Sequence, residues 1–153
     1  MPKRASFIDE APSQCGAPRY LRGDLVGERN PLASEAMAAI RHASLNQGTL
    51  VSPISAWEIA LLSRPRSRFR TGLLFLPDPK VWFARFLTGP GIREAMFNSE
   101  IAIDASYLPG ELHSDPGDRL LVATARHLGV PIVTRDRPII DYGMAGFVQV
   151  IGC

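Results

Sequence analysis

Apolar residues recur three or four positions apart in several segments of the chain after residue 30, a spacing that is typical of helices packed on one side. The first such segment reads PLASEAMAAIRHASLNQG, where Ser34 could cap a helix and Gly48 would end it. The same pattern predicts further helices within residues 56–64, 76–91 and 116–129.

Short β-type runs separate these helical segments. They read TLVSPIS at 49–55, NSEIAIDA at 98–105, VPIVT at 130–134 and FVQVIG at 147–152. Strands that alternate with helices indicate βαβ units, and therefore an α/β fold with a mainly parallel sheet. Such sheets collect functional groups at the carboxyl ends of their strands.

The first 30 residues do not share this regularity. They are rich in proline, glycine and charge, and only SFI at 6–8 and YL at 20–21 are fragments of possible strands. We therefore divide the chain into an atypical or poorly ordered segment 1–30 and a regular domain 31–153.

Composition restricts the setting more than the function. The length of 153 residues and a hydrophobic share of 46% fit one globular domain with a full core. The formal net charge of +2 does not by itself indicate nucleic-acid binding, which would need a local basic patch. The two cysteines suggest neither a metal site nor a disulfide framework, and no signal peptide or membrane span is evident, so we expect a cytoplasmic protein.

Acidic residues recur where predicted strands and helices meet. Glu58 follows one strand-like run, Asp118 begins a helix, and Asp136 follows the strand VPIVT. Each also has a local explanation, because Ser55 and Glu58 match a capping box and Asp115 before a proline predicts an N-cap. Together, however, the three carboxylates would converge on one edge of the sheet.

Converging carboxylates repel one another unless a cation neutralises them. Mg²⁺ and Mn²⁺ prefer oxygen ligands and bind through a few carboxylates together with substrate phosphate. The three acids therefore indicate metal-assisted phosphoryl-transfer chemistry, in which the ion activates water and offsets charge on phosphate oxygens.

Other charged residues are candidates for supporting roles. Arg119 could pair with Asp115 or Asp118, His113 could shuttle a proton or be structural, and Asp141 is expected near the sheet edge or in a turn. An RNA backbone would contact basic residues, for which the candidates are Arg64, Arg66, Arg68 and Arg135.

Two stretches resemble the PIN domain, specifically the VapC-type toxins of bacterial toxin–antitoxin pairs. They read SPISAWEIALL at 52–62 and HSDPGDRLLVATARHLGVPIVTRDRPI at 113–139. The resemblance extends from about Pro31 to Gly152. It implies a three-layer α/β/α sandwich and a Mg²⁺- or Mn²⁺-dependent ribonuclease whose acidic active-site positions match Glu58, Asp118 and Asp136. It also implies a structured RNA substrate, a cognate antitoxin that covers the site, and a homodimer.

The sequence departs from that family at its start. The family opens with a central strand ending in an acid, which would fall near residues 14–20, and these read QCGAPRY. Asp9, after SFI, would fit the position with an insertion, whereas Asp24 would need a deletion. Asp9 is therefore an additional candidate metal ligand.

Two alternatives remain open from the sequence. A degenerate start could leave a PIN domain that only binds an antitoxin-like partner. Another Mg²⁺-dependent phosphoryl-transfer enzyme, such as a phosphatase, would need an acceptor aspartate after the first strand, which the sequence does not supply at the expected place.

Overall fold

The computed structural model describes the backbone of residues 6–8 and all of residues 34–65 and 74–153. The strands are β1 Ser6–Ile8, β2 Thr49–Val51, β3 Ile92–Glu94, β4 Ile132–Thr134 and β5 Val150–Gly152. The helices are α1 Ser34–Asn46, α2 Pro53–Ser63, α3 Pro79–Leu87, α4 Ser99–Asp104, α5 Pro116–Leu128 and α6 Arg137–Met144, and a 3-10 turn covers Ala105–Tyr107.

All the strands pair in parallel, in the order β3-β2-β1-β4-β5. The predicted α/β class with parallel strands is therefore confirmed. Ile8 is in register with both Val51 and Val133, so β1 and β2 end at the same level and β4 ends one residue beyond them. Chain order reverses direction between β1 and β4, which is where open α/β sheets place their ligands.

The strand β1 comes from the segment whose role the sequence left open. Its three residues lie between β2 and β4, in the position that the first strand of a PIN domain is expected to take. Asp9 is the next residue in the sequence. The rest of the proposed segment 1–30 lies outside the described residues, and the proposed boundary at residue 30 stays a prediction.

The helix α5 and the strand β4 form the centre of one apolar cluster. Pro116 supplies the preset φ of the first helical turn, and Gly129 ends the helix with a left-handed φ of 62°. Between them, the buried face of α5 packs against Ile132 and Ile139, both fully buried. This packing fixes the first turn of α5 relative to the end of β4.

A second apolar cluster joins α2 to α3. Ile59 of α2 is fully buried, and it shares the cluster with Val51, Phe75 and Phe83. Trp82 stacks on the ring of Phe86 at a centroid distance of 5.7 Å. These contacts fix the position of α2 relative to the end of β2.

The predicted strand over residues 98–105 is wrong, because this segment contains α4. Ile101 and Ile103 are separated by one residue, as side chains on the same face of a strand would be. Asn98, however, caps a helix, since its Oδ1 accepts the Ile101 N–H at 3.0 Å. The local hydrogen bond and the burial of Ile101 favour the helical turn over the extended alternative.

Two elements were not predicted from the sequence. The strand β3 has three residues, of which Arg93 and Glu94 are exposed, and it carries little apolar pattern. The helix α6 begins after Asp136 and contains Asp141, which the sequence placed near a sheet edge or in a turn.

Two expectations about the setting have different outcomes. Cys153 is disulfide-bonded, so the expectation that the cysteines form no disulfide framework is wrong for this residue. Among the described helices, none combines the length and the apolar character needed to cross a bilayer. The cytoplasmic location stays a prediction.

Candidate metal and nuclease site

Three helices begin at the edge where the central strands end. The helix α2 follows β2 directly, α6 follows β4, and the amino end of α5 lies at the same edge because α5 leads back into β4. Each helix has a capping side chain at its start, and the caps are Ser52, Asp115 and Asp136. The capping requirement of these helices therefore places polar side chains at one edge of the sheet.

Asp136 is held by two local hydrogen bonds. Its Oδ1 accepts the Ile139 N–H at 3.0 Å, and its own N–H donates to Oγ1 of the buried Thr134 at 3.0 Å. These bonds engage one carboxylate oxygen in capping and fix the side chain at the end of β4. The Thr134 hydroxyl thus orients Asp136 by accepting its backbone N–H.

Asp115 and Asp118 occupy the start of α5. Oδ1 of Asp115 accepts the N–H groups of Gly117 at 2.8 Å and of Asp118 at 3.3 Å, which confirms the predicted N-cap. Asp118 lies in the first turn, where the helix dipole favours a negative charge. Because Asp115 makes the capping hydrogen bonds of α5, the carboxylate of Asp118 can contact groups outside the helix.

Asp118, Asp136 and His113 meet at one point. One ligand atom from each side chain lies within 4.8 Å of the other two. His113 Nε2 is 2.8 Å from Oδ2 of Asp118, whose side chain is 21% exposed. The structure therefore brings together two of the three predicted carboxylates and adds an imidazole.

The electrostatics of this group disfavour its negative charge. Burial and, to a smaller extent, the neighbouring charges of Asp136 and Asp115 raise the pKa of Asp118 to about 6, while His113 opposes the shift. A carboxyl group with a pKa this high gains from any added positive charge nearby. This is the property expected of a cation site.

Glu58 lies beside this group but is not one of its three members. It is partly buried on α2, and its Oε1 is 3.3 Å from the point that a Cβ on Gly117 would occupy. Because Gly117 precedes Asp118 in the first turn of α5, Glu58 borders the site. The predicted capping box of Ser55 and Glu58 is wrong, since Oγ of Ser52 caps α2 by accepting the Ile54 N–H at 3.1 Å.

The other predicted site residues are only partly covered by the structure. Arg64 is exposed at the end of α2, and Arg135 is partly buried between Thr134 and Asp136. Arg66, Arg68 and Asp9 lie outside the described residues. Contacts of these residues with RNA or metal stay predictions.

Arg119 does not form the predicted pair with Asp115 or Asp118. Its guanidinium donates instead to backbone carbonyls, from Nε to Ala105 at 2.9 Å and from Nη1 to Leu112 at 3.3 Å. Asp141, the other acid considered, pairs with Arg137 at 2.9 Å on the exposed side of α6. The positive charge of Arg119 is therefore directed to the segment before α5.

His113 was named in the sequence without a decisive role. The signal that could have indicated one is its spacing, two residues before the helix cap and five before Asp118. A residue at this spacing can fold back over the first turn of a helix. The loop conformation that brings it there depends on the contacts of Arg119, which sequence patterns do not reveal.

A cavity of about 720 Å³ lies elsewhere, between α5, α6 and β5. Its lining includes Arg126, Phe147 and Gly152, and none of the three clustered residues. The ionisable groups therefore point to the sheet edge, because the lining of this cavity holds no comparable set of them.

The element order, the parallel sheet and the placement of acids at its carboxyl edge define a PIN/VapC-like fold. Among solved structures, a chain of VapBC2 from Rickettsia felis, bound to a DNA fragment from the promoter, is similar with a TM-score of 0.53. The match has 14% sequence identity and covers 78% of this chain and 86% of that chain. No protein-family model and no curated protein matches the sequence. At this identity the likeness shows the fold alone.

Proposed function

We propose that the protein is a metal-dependent endoribonuclease, the toxin component of a VapBC-type toxin–antitoxin system. The observation that carries the proposal is the meeting of Asp118 and Asp136 at the carboxyl edge of the sheet. The PIN/VapC-like fold supports it, and so does the resemblance of residues 113–139 to VapC-type toxins. We also propose the three-layer α/β/α arrangement of that family and a cytoplasmic site of action.

The donor set fits a hard divalent cation such as Mg²⁺ or Mn²⁺. Asp118 and Asp136 would hold the ion through carboxylate oxygens, Glu58 on the adjacent helix is the proposed third carboxylate, and Asp9 is a further candidate from the sequence. When bound, such an ion would supply Lewis-acid stabilisation of the phosphate and a more acidic water. The raised pKa of Asp118 supports the proposal, because a cation at this place would favour the charged form of that carboxyl group.

The protein's own residues would orient the reacting groups. The capping hydrogen bonds fix Asp136 at the end of β4, and the turn around Asp115 fixes the start of α5. The amino ends of α5 and α6 both lie at this edge, where their dipoles favour an anionic phosphate. We propose that the RNA backbone approaches along the basic residues, with Arg135 nearest to Asp136 in the sequence.

The test is RNA cleavage by the purified protein with Mg²⁺ or Mn²⁺. Asp118→Asn should lower the cleavage rate by about 100-fold or more, because even the outer partners of metal ligands contribute about 10- to 100-fold. Asp141→Asn is the matched control, since this exposed carboxylate pairs with Arg137 and should leave cleavage unchanged. Cleavage that survives Asp118→Asn would reject the site.

The proposed partners are a cognate antitoxin and a second copy of the chain. The structural neighbour is VapBC2, and on this chain Trp57 is 51% exposed immediately before Glu58. An apolar side chain in that position could anchor a partner chain beside the acidic edge. Copurification with the product of an adjacent small gene, followed by loss of the complex in Trp57→Ala, would support this arrangement.

A catalytically degenerate PIN domain that only binds such a partner is the alternative function. The observation that favours it is that Glu58 is not part of the close group formed by Asp118, Asp136 and His113. Calorimetric titration with Mn²⁺ separates the two proposals, together with the variants Glu58→Gln and Asp9→Ala. Heat of binding that depends on these acids supports the nuclease, whereas partner binding without any metal binding supports the alternative.

A further inference from the structure

His113 uses both of its ring nitrogens. Nδ1 accepts the backbone N–H of Asp115 at 3.2 Å, and Nε2 contacts Oδ2 of Asp118 at 2.8 Å. The ring therefore bridges the residue that caps α5 and the carboxylate that faces the acidic group. Rotating the ring by 180° about χ2 would place carbon atoms in both positions and lose both contacts.

These two contacts determine where the imidazole proton lies. A backbone N–H can donate only to a nitrogen that carries a lone pair, so Nδ1 of His113 is unprotonated. A neutral imidazole then carries its proton on Nε2, and this N–H donates to the carboxylate of Asp118. The nitrogen that faces the acidic group is thus a donor.

A nitrogen that bears a proton cannot also bind a metal ion. Histidines that bind metals usually donate a hydrogen bond through their other ring N–H, commonly to a carbonyl or carboxylate oxygen. In this protein, the corresponding place beside Nδ1 holds the N–H of Asp115, which is itself a donor. The surroundings of His113 therefore favour the tautomer that does not coordinate.

We propose that His113 is a positioning residue that holds Oδ2 of Asp118 through its Nε2–H, and that the cation site is formed by oxygen atoms alone. The catalytic meaning of this assignment rests on the proposed nuclease function. Its chemical consequence is selectivity, since an all-oxygen site suits Mg²⁺ and Mn²⁺, whereas an imidazole ligand would favour Zn²⁺ and Ni²⁺.

The segment that carries His113 is fixed from two sides. Arg119 donates to the carbonyls of Ala105 and Leu112, and the Tyr142 hydroxyl donates to the carbonyl of Pro109 at 2.6 Å. These bonds tie the segment to both α5 and α6. The imidazole is consequently delivered to Asp118 by a supported loop, as positioning requires.

The direct test is the tautomer of His113 in the full-length protein, measured by long-range ¹H–¹⁵N NMR at about pH 8, where an ordinary imidazole is neutral. The chain has 3 histidines, so His113→Gln assigns the signal by its disappearance. We expect the Nε2–H tautomer without metal and after addition of Mg²⁺. The Nδ1–H tautomer, or loss of the Nε2 proton when Zn²⁺ or Mg²⁺ is added, would overturn the proposal.

Paired substitutions test the functional consequence. The amide N–H of glutamine can replace the Nε2–H donor, so His113→Gln should keep Mn²⁺ affinity and cleavage within about threefold, whereas His113→Ala should lower both by about 10-fold or more. The exposed His127 provides the control, and His127→Gln should change neither quantity. Equal losses in His113→Gln and His113→Ala, with Zn²⁺ binding abolished in both, would show that His113 is a ligand.

The tautomer measurement distinguishes failure of this proposal from failure of the nuclease proposal. A protein that retains the Nε2–H tautomer but cleaves no RNA would remove the proposed function and leave the role of His113 toward Asp118 intact. A protein that cleaves RNA through Asp118 but shows a metal-bound imidazole would retain the function and remove the positioning role.

Discussion

The junctions β2–α2 and β4–α6 each need a side chain that caps the helix after the strand, and they use different residues for it. In each junction, a polar side chain follows the strand and caps the helix. Ser52 Oγ accepts the Ile54 N–H at 3.1 Å, and Asp136 Oδ1 accepts the Ile139 N–H at 3.0 Å. Ser52 is neutral and 0% exposed, whereas Asp136 is charged, partly exposed and grouped with Asp118. Capping is common to both junctions, and the charge is not.

This difference shows which property of the second junction needs explanation beyond helix formation. A serine would cap α6 about as well as an aspartate does. An aspartate next to another carboxylate adds repulsion that capping alone does not require, and this repulsion adds to burial in raising the pKa of Asp118. The excess charge at β4–α6 is therefore the feature that we assign to function.

The largest effect is expected from moving the charge to the neutral junction. Ser52→Asp would bury a carboxylate at a fully buried position, and this should lower the free energy of unfolding by several kcal/mol, of order 3. Ser52→Asn is the control, because it can cap the helix without a charge. Urea unfolding at pH 7.5 should show the aspartate variant to be clearly less stable, and equal losses in both would point to size rather than charge.

Removing the charge from the second junction should separate stability from activity. Asp136→Ala loses the cap of α6 and should lower the free energy of unfolding by about 1 kcal/mol. Asp136→Ser restores the cap without the repulsion toward Asp118 and should recover that loss in full, yet both variants should be inactive toward RNA if the carboxylate holds the ion. An active Asp136→Ser protein would show that Asp136 serves α6 alone.

The pH dependence of stability should reveal the combined cost of burial and repulsion for the charge of Asp118. With a folded pKa of about 6, above that of an unfolded aspartate, the folded state retains the proton more strongly, so stability decreases as pH rises from about 4 to 6 and is then constant. Asp118→Asn removes this penalty and should raise the melting temperature at pH 7.5 by roughly 2 °C, with little change at pH 4. Thermal scans at both pH values measure this difference, and a destabilised variant at pH 7.5 would contradict it.

The smallest effect is expected from the ion pair on the outer face of α6. Arg137 and Asp141 are more than half exposed and one helical turn apart, so Arg137→Ala should change the free energy of unfolding by less than about 0.5 kcal/mol. Cleavage of RNA should be unaffected as well. A loss of more than about 1 kcal/mol would mean that the second junction depends on charges outside the edge group.

Sequence patterns predicted the parts of the fold that depend on local chemistry. The cap at Asp115, the proline after it and the stop at Gly129 identify α5 because each acts within one helical turn. Residues 98–105 were misassigned because the i, i+2 spacing of Ile101 and Ile103 predicts a strand, whereas the cap at Asn98 begins a helix. Pro53 after Ser52 likewise marked the true start of α2.

The sequence predicts those parts of the site that follow from the topology of the sheet. Parallel strands bring their carboxyl ends to one edge, which places Asp136 and the start of α5 together. The position of Glu58 relative to them depends on how α2 packs against α5, and that depends on contacts between residues far apart in sequence. The contact between His113 and Asp118 depends in the same way on the loop that Arg119 and Tyr142 hold in place.

Gly117 allows α2 to lie close to the first turn of α5. Its missing side chain leaves the room in which Glu58 and Trp57 lie against α5, with Oε1 of Glu58 3.3 Å from where a Cβ would be. A methyl group there would press on the glutamate and on the cap carboxylate of Asp115 at once. The hydrogen atom at this one position is thus what allows the carboxylate of Glu58 to lie this close to the first turn of α5.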